Sequence, residues 1–295
     1  MKKLLVTGAS GFLGHHILRL FPGKYEVYGL YHKSSFALNG ITSLQCDITN
    51  YIEIGNAIED IEPEVVIHTA AISDANYCQQ HQELSYTVNV ESTKNLAGLC
   101  CDLQVPFLFT STDLVFDGTK GMYTEEEARN PLSIYGEQKC LAEDAVLSIY
   151  PSAKIARLPL MFGSPKASAG NYIQKFIKSL GEGHTAKLFY DEYRSVCGAK
   201  SVAEGLLFYL NSPVAPSVLH IAGKEKLSRY DFGLLVAEAF SLDTSFIERC
   251  SQKEVNMSAP RPADVSLDIS RVISLGYIPM AAKDELHLIA SENYL

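Results

Sequence analysis

The chain has 295 residues, of which 47% are hydrophobic and 20% are charged, and these values exclude a disordered chain, a collagen and a coiled coil. Lys and Arg number 25 against 34 for Asp and Glu, so the net charge is −9, and the chain has no basic run that could bind nucleic acid through its phosphates. No stretch approaches the ~18 apolar residues of a membrane span, and the apolar run near the N-terminus is too short for a secretion signal.

The first 160 residues alternate short apolar runs with longer amphipathic ones. We predict strands at 3–7, 26–31, 42–46, 64–69, 106–110 and 154–158, and helices at 12–20, 51–61, 83–103 and 133–149. The strands are apolar without polar alternation, which is typical of a parallel sheet covered by helices on both faces. The chain is therefore predicted to be an α/β protein with a doubly wound parallel (Rossmann) sheet.

After residue 160 the alternation loosens, and Pro and Gly become more frequent. Helices are predicted at 172–180, 201–210, 229–240 and 284–290. We interpret 1–160 as a dinucleotide-binding domain and 161–295 as a smaller C-terminal substrate-binding lobe. The boundary is soft, and the prediction leaves room for the chain to return once to the sheet.

A glycine-rich loop, TGASGFLG at 7–14, follows the first strand and opens the first helix. Gly8 permits the tight turn, Gly11 lets the backbone approach a pyrophosphate, and Gly14 lets helix and strand pack closely. The free N–H groups of a helix start favour phosphate at that point. The predicted cofactor-binding residues of this loop are Gly8, Ser10, Gly11, Phe12, Leu13 and Gly14.

The end of the second strand bears on which nucleotide binds. A carboxylate there would bond the ribose of NAD(H) and repel the 2′-phosphate of NADP(H). This chain has His32 and Lys33 instead, so NADP(H) is favoured and NAD(H) stays open. Asp47 and Ile48, after the third strand, are predicted to hold the adenine edge.

Two residues of the helix 133–149 suggest acid–base chemistry. Tyr135 and Lys139 are four residues apart and share one helix face, and Ser133 is a plausible N-cap. A phenol is a poor acid–base catalyst at neutral pH, and a cation one turn away is expected to lower its pKa. Thr112 ends the fifth strand, at the sheet edge where ligands bind. The expected site transfers hydride, with Thr112, Tyr135 and Lys139 around a nicotinamide.

These segments resemble the extended short-chain dehydrogenase/reductase family. The resemblance rests on TGASGFLG, Asp47-Ile48, Thr69-Ala70-Ala71, STDLVFDG and YGEQK, in that order along the chain. It implies that Tyr135 donates or accepts the proton, that Lys139 also binds the nicotinamide ribose, and that Thr112 contacts the reacting oxygen, with Ser111 as the fallback. It also assigns Ala70 and Ala71 to the cofactor site.

A finer resemblance is to the dTDP-4-dehydrorhamnose reductase branch, which also contains the regulatory beta subunit of methionine adenosyltransferase. It rests on residues 111–139, Gly170-Asn171-Tyr172, the stretches at 220–223 and 228–230, and Arg261-Pro262 with 266–268. It implies Asn171, Arg194 and Arg261 as substrate-binding residues, the arginines for a diphosphate. The chain departs from the branch at Val196-Cys197, which replaces a Pro-containing turn. Related dehydratases have Glu where this chain has Leu114, which disfavours dehydratase chemistry.

The sequence therefore predicts NADPH-dependent reduction of a 4-keto sugar nucleotide, with dTDP-4-dehydro-L-rhamnose as the favoured substrate. Two alternatives stay open, a sugar-nucleotide epimerase and a non-catalytic NADP-binding regulatory subunit. Seven cysteines without a C-x-x-C pair fit reduced thiols, so we expect a cytoplasmic protein without a metal site. Its expected partner is a small-molecule sugar nucleotide, not nucleic acid or a membrane. A homodimer is favoured because similar proteins commonly dimerise.

Overall fold

The computed structural model describes residues 1–163 and 172–291. The strands are β1 (Lys2–Thr7), β2 (Tyr25–Tyr31), β3 (Ile41–Gln45), β4 (Val65–His68), β5 (Phe107–Thr112), β6 (Lys154–Leu158), β7 (Met161–Phe162), β8 (Ala186–Phe189), β9 (Tyr193–Arg194), β10 (Cys197–Gly198), β11 (Val218–His220), β12 (Leu227–Ser228) and β13 (Ile247–Cys250). The helices are α1 (Phe12–Leu20), α2 (Tyr51–Ile61), α3 (Ala75–Gln80), α4 (Gln82–Tyr86), α5 (Ser92–Asp102), α6 (Ile134–Ile149), α7 (Tyr172–Gly181), α8 (Ala199–Leu210), α9 (Arg229–Ala239), α10 (Ser270–Ser274) and α11 (Ala282–Ser291). None of the helices in these two ranges is long and apolar enough to cross a membrane.

Seven parallel strands form the central sheet, in the order β3-β2-β1-β4-β5-β6-β11. The predicted doubly wound sheet is confirmed. Successive strand residues bury against opposite faces: Leu4 and Val6 belong to one apolar cluster, and Leu5 belongs to the cluster on the other face. Because both faces are covered, the strands lack polar alternation.

The predicted helix 83–103 is interrupted. One π-helical turn, Thr87–Glu91, separates α4 from α5. The turn contains the buried Asn89, whose amide accepts from the Ile72 N–H at 2.8 Å and donates to the Ile72 carbonyl at 3.0 Å. Asn89 also donates to Gln138 of α6 at 2.9 Å. These partners are distant in sequence, so periodicity alone could not predict the turn.

The chain returns to the sheet after residue 160. Strand β11 pairs with β6, and α8 packs against α1 through a shared apolar cluster that includes Leu206 and Ile17. The remainder of 161–291 has its own apolar cluster, which includes Phe162, Phe232 and Leu286. The division of the chain at residue 160 remains a prediction, and β11 and α8 belong to the sheet side of the molecule.

Candidate active site

The glycine-rich loop forms a close cradle at the carboxyl end of β1. Gly8 has φ +67°, and a Cβ on it would lie 2.7 Å from the Ala70 backbone. A Cβ on Gly14 would lie 2.3 Å from the Gly8 carbonyl oxygen. Gly11 is the N-cap of α1 and has no side chain with which to cap the helix. The space and the free N–H groups fit a dinucleotide pyrophosphate.

A cleft of about 530 Å³ opens between this loop and the second part of the chain. It brings together most of the residues that the sequence singled out. Those lining the cleft are Gly8, Gly11, Phe12, Leu13, Gly14, Ala71, Thr112, Tyr135, Lys139, Arg194 and Arg261. Ala70 lies behind Gly8, and Ser10 does not line the cleft. Asn171 lies outside the described residues.

The residues proposed for the adenine half lie farther along the sheet edge. His32 and Lys33 follow β2, while Asp47 and Ile48 follow the neighbouring β3, and none of the four lines the cleft. The Asp47 carboxylate lies 3.6 Å from the His32 ring. A carboxylate therefore reaches the end of β2 from the adjacent strand, although the end of β2 itself has no acid. Burial raises the pKa of Asp47, but hydrogen bonds from Thr49 and the nearby His32 and Lys33 lower it overall.

Helix α6 presents Tyr135 and Lys139 to the cleft. Ser133 is its N-cap, as expected, with its hydroxyl accepting the Gly136 N–H at 3.2 Å. The Lys139 ammonium donates to the Thr110 carbonyl at 2.7 Å and lies 4.2 Å from the centre of the Phe109 ring. Burial lowers the pKa of Lys139 to about 7.

The expectation of a lowered Tyr135 pKa is wrong for this structure. Burial raises the pKa of Tyr135 well above its usual value, and the nearby Asp113 and Cys78 raise it further. The Lys139 ammonium, which donates to the Thr110 carbonyl, does not offset the effect of burial on the Tyr135 pKa. A phenol with a raised pKa stays protonated at neutral pH, which suits a proton donor.

Both candidate hydroxyls of β5 are buried at the cleft. Thr112 lies beside Tyr135, donates to the Asp113 carboxylate at 3.1 Å and accepts the Leu114 N–H at 3.2 Å. The Ser111 hydroxyl has no hydrogen-bond partner among the described residues. Thr112 is thus the hydroxyl next to Tyr135, and Ser111 has free bonding capacity for a ligand.

Arg194 is held inside an acidic cluster. Its guanidinium lies 3.2 Å from the Glu192 carboxylate and 3.7 Å from that of Asp113, and all three side chains are buried. Burial raises the pKa of Asp113 to about 6, although Arg194 and Thr112 act in the opposite direction. One Asp113 oxygen has no hydrogen-bond partner in the described part of the chain. Arg194 is therefore paired before any ligand binds, whereas Arg261 has no ion pair within residues 1–163 and 172–291.

Several lining residues were missed by the sequence reasoning, namely Ser73, Met161, Phe189, Glu192, Arg229 and Met257. Arg229 begins α9, and its backbone N–H donates to the Glu192 carbonyl at 2.9 Å. The stretch Ser228-Arg229-Tyr230 entered the sequence analysis only through the family resemblance. A basic residue at the predicted start of a helix was the signal that could have marked Arg229 as a site residue. Nothing local marks the others, because their place depends on how the second part of the chain folds over the sheet.

Comparison with known proteins matches residues 1–292 to the RmlD substrate-binding domain. The chain belongs to this family. The predicted resemblance is confirmed, and the family is one of dTDP-4-dehydrorhamnose reductase-like oxidoreductases.

Two curated relatives of the chain have names that indicate different functions. A probable low-salt glycan biosynthesis reductase, Agl14 of Haloferax volcanii, is 31% identical over 271 residues, covering 90% of this chain and 90% of the relative. The methionine adenosyltransferase 2 subunit beta of Bos taurus is 27% identical over 285 residues, covering 93% and 83%. The family therefore spans a named reductase and a named subunit of another enzyme.

A solved structure shows the same fold. The dTDP-4-dehydrorhamnose reductase of Bacillus anthracis, in complex with NADP, superposes with a TM-score of 0.88 at 21% identity. The match covers 99% of this chain and 100% of that chain. The likeness extends over both the sheet and the second part of the molecule.

Proposed function

We propose that this protein uses NADPH to reduce the 4-keto group of a sugar nucleotide, with dTDP-4-dehydro-L-rhamnose as the substrate and dTDP-L-rhamnose as the product. The observation that supports this most is the cleft in which the glycine loop, Tyr135 with Thr112, and Arg261, which has no ion pair among the described residues, all meet. The NADP complex of the Bacillus anthracis reductase and the name of the Haloferax relative support the same proposal.

The proposed chemistry is a ketone reduction with one proton and one hydride. NADPH, when bound, supplies the hydride to the keto carbon. Tyr135 gives its phenolic proton to the developing alkoxide, and solvent later replaces that proton. The Thr112 hydroxyl exchanges its bond to the Asp113 carboxylate for a hydrogen bond to the same oxygen, which stabilises the charge as it forms.

The remaining residues of the proposal bind and orient. Gly8, Gly11 and Gly14 leave room for the pyrophosphate at the start of α1. Lys139 orients the nicotinamide ribose with the ammonium protons that the Thr110 carbonyl does not take. Arg261 would meet the substrate diphosphate, and Lys33 would favour NADP(H) over NAD(H), which stays possible.

A second candidate function is an NADP-binding regulatory subunit. The match to methionine adenosyltransferase 2 subunit beta favours it, because that relative covers almost the same length of chain. Binding without turnover needs the glycine cradle but not Tyr135. The two candidates therefore differ in whether reduced nucleotide is consumed.

The test is to follow the oxidation of NADPH, and separately of NADH, with enzymatically generated dTDP-4-dehydro-L-rhamnose. Turnover with the rhamnosyl product identified supports the reductase, and the ratio of the two nucleotide rates decides the cofactor. Tight NADP binding without turnover, together with a protein that co-purifies, would favour the regulatory subunit. Light scattering on the same sample tests the homodimer, and fractionation of cells tests the cytoplasmic location, both of which we propose from the sequence.

A further inference from the structure

Segment 257–261 forms one wall of the cleft and passes beside the proposed proton donor. Met257 and Arg261 both line the cleft. Ala259, midway between them, is buried in the same apolar cluster as Tyr135, together with Ala75 and Cys78 of α3. The segment is therefore seated against the sheet side of the molecule, although it belongs to the second part of the chain.

Two hydrogen bonds hold this segment to α3. The Ala259 N–H donates to the side-chain carbonyl of Asn76 at 3.0 Å, and the Gln80 side-chain amide donates to the Ser258 hydroxyl at 3.1 Å. The start of α3 is itself secured, because the Asp74 carboxylate accepts the Asn76 N–H at 2.9 Å. Asn76 is thus a well-placed acceptor for an otherwise buried amide. We call these two bonds the α3 clasp.

The clasp bears on Arg261, which lies two residues after Ala259. No ion pair or hydrogen bond holds the Arg261 side chain within the described residues, whereas Arg194 is paired with two carboxylates. Within the described residues, the position of Arg261 is therefore determined by the backbone of its segment. That backbone is placed by the clasp and by the burial of Ala259.

We propose that Asn76 is a positioning residue that, by accepting the Ala259 N–H, holds segment 257–261 so that Arg261 faces the anionic diphosphate of a bound sugar nucleotide. This inference rests on the proposed function, which assigns the diphosphate to Arg261. Asn76 does not line the cleft, so its effect on the ligand is exerted through the segment.

The size of the effect follows from the bond that is lost. Asn76→Ala leaves the Ala259 N–H without its acceptor in a buried position, and the segment must shift to reach water. Leaving such a donor unpaired should weaken the binding of the nucleotide diphosphate by about five- to thirtyfold. Asn76→Asp keeps an acceptor oxygen at the same place and should restore the wild-type behaviour.

The experiment measures the binding of dTDP, the nucleotide diphosphate alone, to the NADP-loaded protein by calorimetry. Asn76→Ala should raise the Kd for dTDP about five- to thirtyfold, and Asn76→Asp should leave it near the wild-type value. The Kd for NADP should not change in either variant. The matched control is Asn211→Ala, which removes a side-chain amide that donates to the Leu207 carbonyl at the end of α8, away from the cleft and from the predicted adenine residues, and should change neither Kd.

Hydrogen exchange and kinetics separate positioning from general loosening. In Asn76→Ala the amides of 257–261 should exchange faster while those of α9 do not. With the keto sugar, KM should rise by a larger factor than kcat falls, because the substitution removes no group from Tyr135 or Thr112. An unchanged dTDP affinity in Asn76→Ala, or an equal weakening of NADP, would overturn the proposal.

The outcomes also distinguish this inference from the proposed function. If the wild type binds dTDP and Asn76→Ala weakens it, yet no 4-keto sugar is reduced, the clasp stands and the reductase assignment is wrong. If the wild type reduces the keto sugar and Asn76→Ala binds dTDP equally well, only the clasp is wrong. A wild type that binds no dTDP overturns both.

Discussion

Replacing Tyr135 with Phe removes one hydroxyl and tests the proposed proton donor directly. The ring stays in its buried apolar cluster, and Thr112 keeps its bonds to Asp113 and the Leu114 N–H. The free energy of unfolding should therefore change by less than about 1 kcal/mol. The reaction loses its acid, which is expected to reduce kcat by about 10²- to 10⁴-fold, or roughly 3–5 kcal/mol of barrier.

The assay is the loss of reduced-nicotinamide absorbance at saturating NADPH and keto sugar, beside thermal unfolding of the same samples. Tyr150→Phe is the matched control, since Tyr150 caps the C-terminus of the same helix with 8% exposure against 7% for Tyr135. It should retain wild-type kcat. A Tyr135→Phe enzyme within about fivefold of wild type would refute the assignment, because acid catalysis contributes far more than that. A large loss of thermal stability would refute the packing argument.

Three other changes test separate parts of the site. Burial lowers the pKa of Lys139 to about 7, so kcat/KM for NADPH should decline above about pH 7 as Lys139 loses its proton. Lys139→Arg should move this decline to higher pH. A profile that stays flat to pH ~10, the ordinary range for lysine, would contradict the prediction. Lys33→Glu should lower the ratio of kcat/KM with NADPH to kcat/KM with NADH by about tenfold, because the new carboxylate repels the 2′-phosphate of NADPH. An unchanged ratio would show that Lys33 does not belong to the cofactor site. Arg194→Ala should lower the free energy of unfolding, measured by urea titration, by about 3 kcal/mol, because two buried carboxylates lose their cation. Arg261→Ala should leave the free energy of unfolding unchanged and raise KM for the sugar nucleotide. Equal stability losses in these two variants would show that their environments do not differ as described.

Much of the sheet could be predicted because its signals are local. An apolar strand, a glycine loop and an amphipathic helix follow each other within the first 20 residues, and each element forms as its own residues dictate. The N-cap at Ser133 and the shared face of Tyr135 and Lys139 are likewise properties of a short stretch of chain. Local signals of this kind were sufficient to choose the glycine loop, Tyr135 and Lys139, which line the cleft.

Other features depend on partners far away in sequence. The π-helical turn of 87–91 surrounds Asn89, whose partners lie on the loop after β4 and on α6. The Asp47 carboxylate reaches His32 because β3 lies beside β2. Segment 257–261 lies against α3 although 183 residues separate Asn76 from Ala259. No periodicity or spacing in the sequence encodes these approaches.

The electrostatics of the site likewise depends partly on nearby residues and partly on residues that are distant in sequence. Sequence alone determined that a phenol and an ammonium lie one helical turn apart, and the family resemblance singled out Arg194. Only the tertiary structure decided that burial outweighs the ammonium and raises the pKa of Tyr135, and that Arg194 is already paired. The physical reason is that a side chain's identity and local conformation are properties of nearby residues, whereas its dielectric environment and charge partners are created when distant segments pack around it.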